Sequence, residues 1–220
     1  MGTQKFSQTL LKRLPLYLSY LRSLPESTAT ISATAIARAL NLGDVQVRKD
    51  LAKVSDGGRR RIGHSREKLI VDIEDFLDFA SSTGSIVVGA GKLGQALLEY
   101  SGFEESGLSI LAGFDTNPAE TLSDCSKPIL PMNKLEAFCR CRDVRIGIIT
   151  VPADQAQIVC DRLVACGVQG IWNFAPVHLT VPDHVVIQNE NLAVSLSTLR
   201  MQLMSMSTEA ANTPSREQYA

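Results

Sequence analysis

The chain has 220 residues, a net charge of −1 and an ordinary apolar fraction of 45%, which indicates a globular protein with room for two domains. No run approaches the roughly 18 consecutive apolar residues of a membrane helix, and the first residues lack the apolar segment of an export signal. The five cysteines are odd in number and contain no C-x-x-C pair, which favours reduced thiols in the cytoplasm over a disulfide framework. Zinc binding through Cys139 and Cys141 has little support because the histidines are distant in sequence, so we expect no metal site.

The charge is divided unevenly along the chain. Residues 1–68 contain 13 Lys or Arg and five Asp or Glu (+8), and the remaining residues contain nine and 18 (−9). Basic halves often contact phosphates. Two domains that differ only in surface charge would show the same asymmetry.

The first part of the chain has the pattern of a small helical domain. Apolar spacing predicts a helix in TLLKRLPLYLSYLRSL that begins or kinks near Pro15. Ser32 is the expected N-cap of a second helix, ATAIARAL, and Asp44 that of a third, VQVRKDLAKV. These two short helices have helix-turn-helix spacing. The glycines and arginines of SDGGRRRIGHS predict a β-hairpin, called the wing, and residues 66–82 a connecting helix.

From Ser85 short apolar strands alternate with helices, which predicts a parallel, doubly wound sheet. The predicted strands are IVVGAG, SILAGFD, VRIGIITV, GIWNFAP and HVVIQNE. A last amphipathic helix carries Leu192, Leu196, Leu199 and Leu203 on one face, and the tail after it is polar. The fold class is therefore α/β: a winged helix-turn-helix domain (1–80), a Rossmann-type domain (81–190), a C-terminal helix (191–204) and a disordered tail (205–220).

The first predicted strand of the sheet ends in a G-x-G-x-x-G motif. Gly89 allows the sharp turn, Gly91 lets backbone N–H groups approach a pyrophosphate, and Gly94 lets helix and strand pack closely. Asp115 ends the next strand, where an acidic side chain accepts hydrogen bonds from an adenine ribose. A carboxylate there favours NAD(H) over NADP(H), although a glycine turn without a ligand is the alternative. The predicted cofactor loop comprises Gly89, Ala90, Gly91, Lys92, Leu93 and Gly94.

No catalytic constellation accompanies this loop. The three histidines and Lys92 form no recognisable arrangement, no G-x-S-x-G motif is present, and little chain remains for a substrate domain. We therefore expect a protein that binds NAD(H) without turning it over. A small NAD-dependent enzyme with a fused adaptor domain and a CoA-binding module are the alternatives.

The third predicted helix has the surface of a DNA reader. Val47, Leu51 and Val54 would face the core, and the opposite face is polar and basic. Gln can pair with an adenine edge and Lys or Arg with guanine or phosphate, while arginines at a hairpin tip can reach phosphates or the minor groove. A solvated charged face is the alternative. The predicted DNA contacts are Gln46, Arg48, Lys49, Lys53, Arg59, Arg60 and Arg61.

A set of motifs spread in order over roughly residues 8–204 is specific when taken together: RLPLYLSYL (13–21), VQVRKDL (45–51), VGAGKLG (88–94), FDTNP (114–118), TVPA (150–153), NFAP (173–176) and LAV (192–194). By these motifs the sequence resembles the Rex family of redox-sensing transcriptional repressors. The resemblance implies a homodimer that binds inverted-repeat operators and leaves DNA when NADH replaces NAD+, with the last helix exchanged between subunits. It also implies that Thr150, Val151, Pro152, Asn173 and Phe174 line the nicotinamide side of the site.

Three departures from the family pattern concern the link between the two halves. The wing has KVSDGG where aromatic residues near YFGEFG are usual. His64 stands where a tyrosine is common, and Asn191 where an acidic residue is common. The resemblance implies that these two positions, with Arg13, connect NADH binding to DNA release. A His–Asn pair differs in charge and pH response, so an altered redox response or another nucleotide is an alternative.

Overall fold

The computed structural model describes residues 7–56, 58, 62–77, 82–118 and 126–211. The chain divides into two compact units, the first comprising Met1–Ser82 with Glu104–Gly107 and the second comprising Thr83–Phe103 with Leu108–Ala220. Among the described residues, no helix combines the length and the apolarity that a membrane span requires. Cys139, Cys141, Cys160 and Cys166 are free thiols, whereas Cys125 lies outside the described residues.

The described part of the first unit consists of helices and one short antiparallel strand pair. Its core is formed by the apolar faces of the helices, with Leu14, Tyr17, Ile36, Leu51 and Ile73 fully buried. Its elements are α1 (Gln8–Ser23), β1 (Thr30–Ile31), α2 (Ala33–Ala39), α3 (Asp44–Val54), β2 (His64–Ser65) and α4 (Arg66–Phe76).

The helix starts of this unit confirm one predicted cap and correct another. The Ser32 side chain accepts a hydrogen bond from the backbone N–H of Ala35 at 3.1 Å, so Ser32 caps α2 as predicted. The prediction for α3 was wrong, because its N-cap is Gly43 and Asp44 is the first helical residue. Asp44 there places a negative charge in the first turn, where the helix dipole favours it. Pro15 lies inside α1 on its exposed side, so the helix continues through it.

The wing region differs from a simple local hairpin where the structure describes it. β2 pairs antiparallel with β1, which is distant in sequence, through the partners Thr30–Ser65 and Ile31–His64. Residues 57 and 59–61, including the three predicted arginine contacts Arg59, Arg60 and Arg61, lie outside the described residues.

The second unit is built on a six-stranded parallel sheet with the order β5-β4-β3-β6-β7-β8. This is the doubly wound arrangement in which the strand order reverses between β3 and β6, and ligands bind beyond the carboxyl ends at that point. The predicted α/β fold is confirmed. Its strands are β3 (Thr83–Val88), β4 (Leu108–Asp115), β5 (Ile129–Pro131), β6 (Val144–Ile149), β7 (Gly170–Asn173) and β8 (Val186–Asn189).

In the part of the second unit that the structure describes, helices and two 3₁₀ turns connect these strands. Two differences from the sequence predictions stand out. Strand β5 is not among the strands predicted from the sequence, because three residues are too few for a periodic pattern. The last helix continues past residue 204 to Ala211, through Met, Glu and Ala residues of good helix propensity. The helices are α5 (Lys92–Glu99), α6 (Leu135–Cys141), α7 (Ala153–Ala165) and α8 (Leu192–Ala211), and the 3₁₀ turns are Ser101–Ser106 and Met132–Lys134.

Candidate nucleotide site and DNA-recognition helix

Strand register brings the predicted cofactor residues to one edge of the sheet. Val88 of β3 is the register partner of both Phe114 in β4 and Ile149 in β6. Because the three strands are parallel, the residues that follow meet at the same carboxyl edge. Those residues are Gly89, Asp115 and Thr150.

The glycines of the loop serve two different purposes. Gly89 has a φ of +97°, and a Cβ there would lie 2.9 Å from the carbonyl carbon of Thr150. A Cβ on Gly94 would lie 1.9 Å from the carbonyl oxygen of Gly89. Gly91, by contrast, faces open space, with nothing within 4 Å of an added Cβ. Gly89 and Gly94 are therefore required by the fold of the loop, whereas Gly91 leaves room above it.

Hydrogen bonds from both sides hold the loop in place. The Thr150 hydroxyl donates to the carbonyl oxygen of Gly89 at 2.6 Å. On the other side, Asp115 Oδ2 accepts from the backbone N–H of Ala90 at 2.7 Å, and Oδ1 accepts from the N–H of Asn117 at 3.0 Å. A carboxylate has about four lone-pair sites, so Asp115 retains acceptor capacity for a ribose diol.

A cavity of about 640 Å³ lies beside this loop, within the size range of small-molecule and cofactor sites. Six of the predicted residues line it: Gly89, Gly91, Asp115, Thr150, Val151 and Pro152. The rest of the cofactor loop contributes no lining. Ala90 and Gly94 are buried, and Lys92 and Leu93 are exposed at the start of α5.

One wall of the cavity is a helix face that sequence reasoning missed. Gln155, Ile158, Val159 and Arg162 of α7 line it together with Met132. Their spacing of three and four residues is that of one helical stripe, and α7 directly follows the strand after the switch point. That spacing, combined with the predicted strand order, is the signal that could have identified them.

Arg162 joins this wall to the neighbouring element. Its Nη2 donates to the carbonyl oxygen of Met132 at 2.8 Å and to Glu136 Oε1 at 2.7 Å, and its Nε also donates to Glu136 at 2.9 Å. The hydrogen bonds from Arg162 lower the pKa of Glu136. This ion pair connects α6 and α7 beside the cavity.

Asn173 and Phe174 are not among the residues that line this cavity. Asn173 is fully buried, and its amide nitrogen donates to the carbonyl oxygens of Ala175 and Val177 and to Asn189 Oδ1. The Asn173 side chain therefore organises the loop after β7. Phe174 packs on Trp172 with ring centroids 4.6 Å apart.

In the first unit, α3 presents the predicted polar face. Lys49 and Lys53 are exposed, and Val47 and Leu51 are buried on the opposite side. Arg48 is exposed and paired with Asp44 at 2.8 Å. The exposed side of α3 thus combines three basic side chains with Gln46 and small apolar residues.

An ionic network around the buried Asp50 supports the core-facing side of α3. Asp50, which is 1% exposed, accepts from Arg13 Nε at 2.7 Å and from Arg13 Nη2 at 3.0 Å. The Tyr17 hydroxyl donates to Asp50 at 2.8 Å, and so does Gln46 Nε2. Burial alone would raise the pKa of Asp50, but hydrogen bonds from Arg13, Tyr17 and Gln46 hold it below its usual value. Sequence reasoning missed Tyr17 and Asp50.

Comparison with known proteins identifies both units. Models of protein families match residues 5–52 as a putative DNA-binding protein N-terminus and residues 80–177 as a CoA binding domain. The redox-sensing transcriptional repressor Rex of Porphyromonas gingivalis is 37% identical over 204 residues, which cover 92% of this chain and 94% of that protein. The chain belongs to the Rex family. The Rex of Carboxydothermus hydrogenoformans is 39% identical over 197 residues, covering 89% of this chain and 95% of that protein.

Solved structures of a Rex-family repressor called RSP have the same fold. RSP in complex with β-NAD+ and operator DNA is 32% identical, with a TM-score of 0.83 over 95% of this chain and 97% of that one. RSP in complex with β-NADH is 30% identical, with a TM-score of 0.85 over 96% and 100%. The predicted family is thereby confirmed, and the curated Rex relatives are named as repressors rather than as enzymes.

The three residues that the Rex resemblance connects to redox coupling occupy different environments. Arg13 is bound to Asp50 beneath α3. His64 lies in β2, where its Nδ1 is buried without a hydrogen-bond partner among the described residues and burial lowers the pKa of the ring. Asn191 accepts from the backbone N–H of Val194 at 3.0 Å and so caps α8. Within the described residues, no group of three or more His, Cys, Asp or Glu side chains could hold a metal ion.

Proposed function

We propose that this protein is a transcriptional repressor that binds operator DNA with its first unit and a nicotinamide dinucleotide with its second, and that NADH releases it from DNA. The observation that carries the proposal is the combination of a glycine-loop cavity and a basic recognition helix in one chain of the Rex family. A regulator of this kind would act in the cytoplasm, where its operators lie.

The cavity supports NAD(H) as the nucleotide. The pyrophosphate would lie over Gly91, where space is open, at the N-terminus of α5. The adenine ribose would bind the Asp115 carboxylate, which would repel the 2′-phosphate of NADP(H). Thr150, Val151 and Pro152 would contact the nicotinamide half, and the buried Asn173 and its neighbour Phe174 would act by shaping the adjoining loop.

The exposed face of α3 supports DNA binding in the major groove. Lys49 and Lys53 would contact phosphates or guanine, and Gln46 would contact a base edge. Arg48 would exchange its pairing with Asp44 for a phosphate. The three arginines at positions 59–61 would extend the contact from the wing.

A homodimer would explain the last helix. Leu192, Leu196, Leu199 and Leu203 of α8 are 52–68% exposed, and a stripe of leucines at this spacing is typical of a buried interface. We propose that α8 is exchanged with the partner subunit and places two α3 helices on the half-sites of an inverted repeat. Leu196→Asp with Leu199→Asp should yield a monomer in sedimentation velocity, whereas a variant that remains dimeric would exclude α8 from the interface.

The decisive experiment is a gel-shift titration on an A·T-rich inverted-repeat duplex. NADH should release the duplex at concentrations at which NAD+ does not. The family model for a CoA binding domain makes CoA a second candidate ligand, so CoA is titrated in parallel. If only CoA releases the duplex, the protein responds to CoA and not to the redox state of NAD(H). If the duplex stays bound equally well with all three nucleotides, the cavity does not control DNA binding.

A further inference from the structure

Asp50 bears on base recognition by the first unit, although it is buried and cannot itself contact DNA. It is buried on the inner side of α3, one turn after Gln46, which is exposed on the same helix. Gln46 Nε2 donates to Asp50 Oδ1 at 2.8 Å. The exposed glutamine is therefore tied to a buried carboxylate.

This hydrogen bond determines which way the glutamine amide points. A glutamine amide has a carbonyl oxygen that accepts and an NH₂ group with two donors, and it can present either end after a half-turn. A half-turn here would aim the carbonyl oxygen at the Asp50 carboxylate, acceptor against acceptor. Arg13 and Tyr17 occupy the other positions around Asp50 and keep it charged, so the observed orientation is strongly preferred.

The fixed orientation matters because purines differ in the major groove. Adenine presents an acceptor, N7, beside a donor, the N6 amino group, whereas guanine presents two acceptors, N7 and O6. An amide whose first N–H is held by Asp50 still has a second N–H for N7 and a carbonyl oxygen for N6. Opposite guanine, the same carbonyl oxygen would face O6.

We propose that Asp50 is a positioning residue for base recognition: it orients the Gln46 amide so that Gln46 reads adenine and rejects guanine, and the two hydrogen bonds from Arg13 hold Asp50 in place for this purpose. The inference rests on the proposed function, because it requires α3 to enter the major groove of an operator. It also gives Arg13 a role within the first unit.

The test compares discrimination rather than overall affinity. Fluorescence anisotropy measures the binding of wild type, Gln46→Ala, Asp50→Asn and the double variant to the operator and to duplexes in which each A·T pair of the half-site is replaced in turn by G·C. Asparagine at position 50 can accept from Gln46 or donate to it, so it permits both amide orientations. Tyr17→Phe is the matched control, since it removes one hydrogen bond from Asp50 but leaves the carboxylate facing Gln46.

Wild type should lose about tenfold in affinity at one A·T position that depends on Gln46, within the range measured for bidentate base contacts. Gln46→Ala and Asp50→Asn should both reduce that preference to threefold or less. The double variant should equal Gln46→Ala, and Tyr17→Phe should keep the wild-type preference. If Asp50→Asn unfolds the first unit, Arg13→Gln with Asp50→Asn removes both charges of the ion pair together and provides the same comparison.

Two results would overturn the inference. Asp50→Asn could weaken all duplexes by the same factor and retain the preference, in which case Asp50 only stabilises the helix. Gln46→Ala could retain every preference, in which case Gln46 reads no base. Both results require a wild type that binds the operator, whereas a wild type that binds no A·T-rich inverted repeat would instead remove the proposed function.

Discussion

The glycine loop of the second unit and the support of α3 in the first unit prepare their sites by different means. The loop is shaped by backbone, through the positive φ of Gly89 and the close approach of Gly94 to the Gly89 carbonyl oxygen. Helix α3 is held by side chains, through the hydrogen bonds of Arg13 and Tyr17 to Asp50. Adding an atom should therefore break the first site, and removing a charge from the Arg13–Asp50 pair should break the second.

In both units, the residues that stabilise the fold differ from the residues that would contact the ligand or DNA. In the loop, one glycine leaves space for the ligand and two are required by packing, so different glycines should fail in different ways. In the first unit, the lysines on the exposed face of α3 contribute nothing visible to packing, while the network beneath them lies in the interior. Substitutions in each unit can then be sorted by whether they affect unfolding or binding.

The largest effect is expected for Gly94→Ala. The new Cβ would lie 1.9 Å from the carbonyl oxygen of Gly89, so the backbone must shift, at a cost of about 3 kcal/mol or more. Trp172 is the only tryptophan of the chain and lies in β7, so its fluorescence reports unfolding of the second unit. The midpoint of denaturation should fall sharply.

Gly91→Ala is the matched control for this prediction. Its Cβ would meet nothing within 4 Å, so the unfolding midpoint should stay close to wild type while NADH binding is lost. Equal destabilisation by both substitutions would contradict the division of the loop glycines into packing and ligand positions.

The next effect is expected for Asp115→Ala, which removes the carboxylate between the loop and the ribose position. A hydrogen bond that involves a charged group contributes about 1.5–3 kcal/mol, so NADH affinity should fall by roughly ten- to a hundredfold. Energy transfer from Trp172 to NADH or calorimetry measures the affinity. Asp115→Asn should recover part of it, because an amide can still accept from one ribose hydroxyl, and unchanged affinity in Asp115→Ala would remove this residue from the site.

How far the sequence predicts each site follows from the same contrast. The glycine loop depends on residues within a short segment, and Asp115 lies at a fixed strand end, so spacing was enough to predict their positions at one edge of the sheet. Arg13 and Asp50 are separated by 37 residues, and no periodicity shows that two such side chains meet. Only the packing of α1 against α3 brings them together.

Burial explains the remaining differences between the sequence predictions and the structure in the second unit. Asn173 is the last residue of β7, at the edge of the sheet where ligands bind, and in sequence it looks like a polar ligand contact. In the structure its amide makes four hydrogen bonds to the chain, three with Ala175 and Val177 in the loop after β7 and one with Asn189 at the end of β8. The α7 wall of the cavity was not predicted, because in sequence Ile158 and Arg162 look like ordinary positions of an amphipathic helix. Only the folded sheet shows that they face the cavity.

A smaller effect, with a distinctive pH dependence, is expected for Tyr17→Phe. Burial, and to a smaller extent the hydrogen bond and the charge of Asp50, raises the pKa of Tyr17 from 10.0 to about 12. A group whose pKa is raised by folding stabilises the folded state below its unfolded value, and this contribution is lost as the pH rises through the folded value. Wild type should therefore lose stability between about pH 10 and 12 through this group, and Tyr17→Phe should not.

Denaturation followed by circular dichroism checks this prediction from pH 8 to 12. At pH 8 the variant should be less stable by about 1–3 kcal/mol, because Asp50 loses one of its donors. The difference between the two proteins should then shrink as the pH approaches 12. A constant gap across the pH range would contradict the assignment of the alkaline loss to Tyr17.

The smallest effect on the molecule, but a specific one on binding, is expected for Lys49→Ala. Lys49 is exposed on α3, so its removal should leave the unfolding midpoint unchanged. Operator affinity should fall by about 1 kcal/mol, and the slope of log affinity against log salt should decrease by about one, because one fewer counterion is released. Lys68→Ala is the control, since Lys68 is paired with Asp72 on α4 at 2.9 Å. Identical slopes for both variants would show that the charge of the first unit acts as a whole and that the exposed face of α3 is not the contact surface.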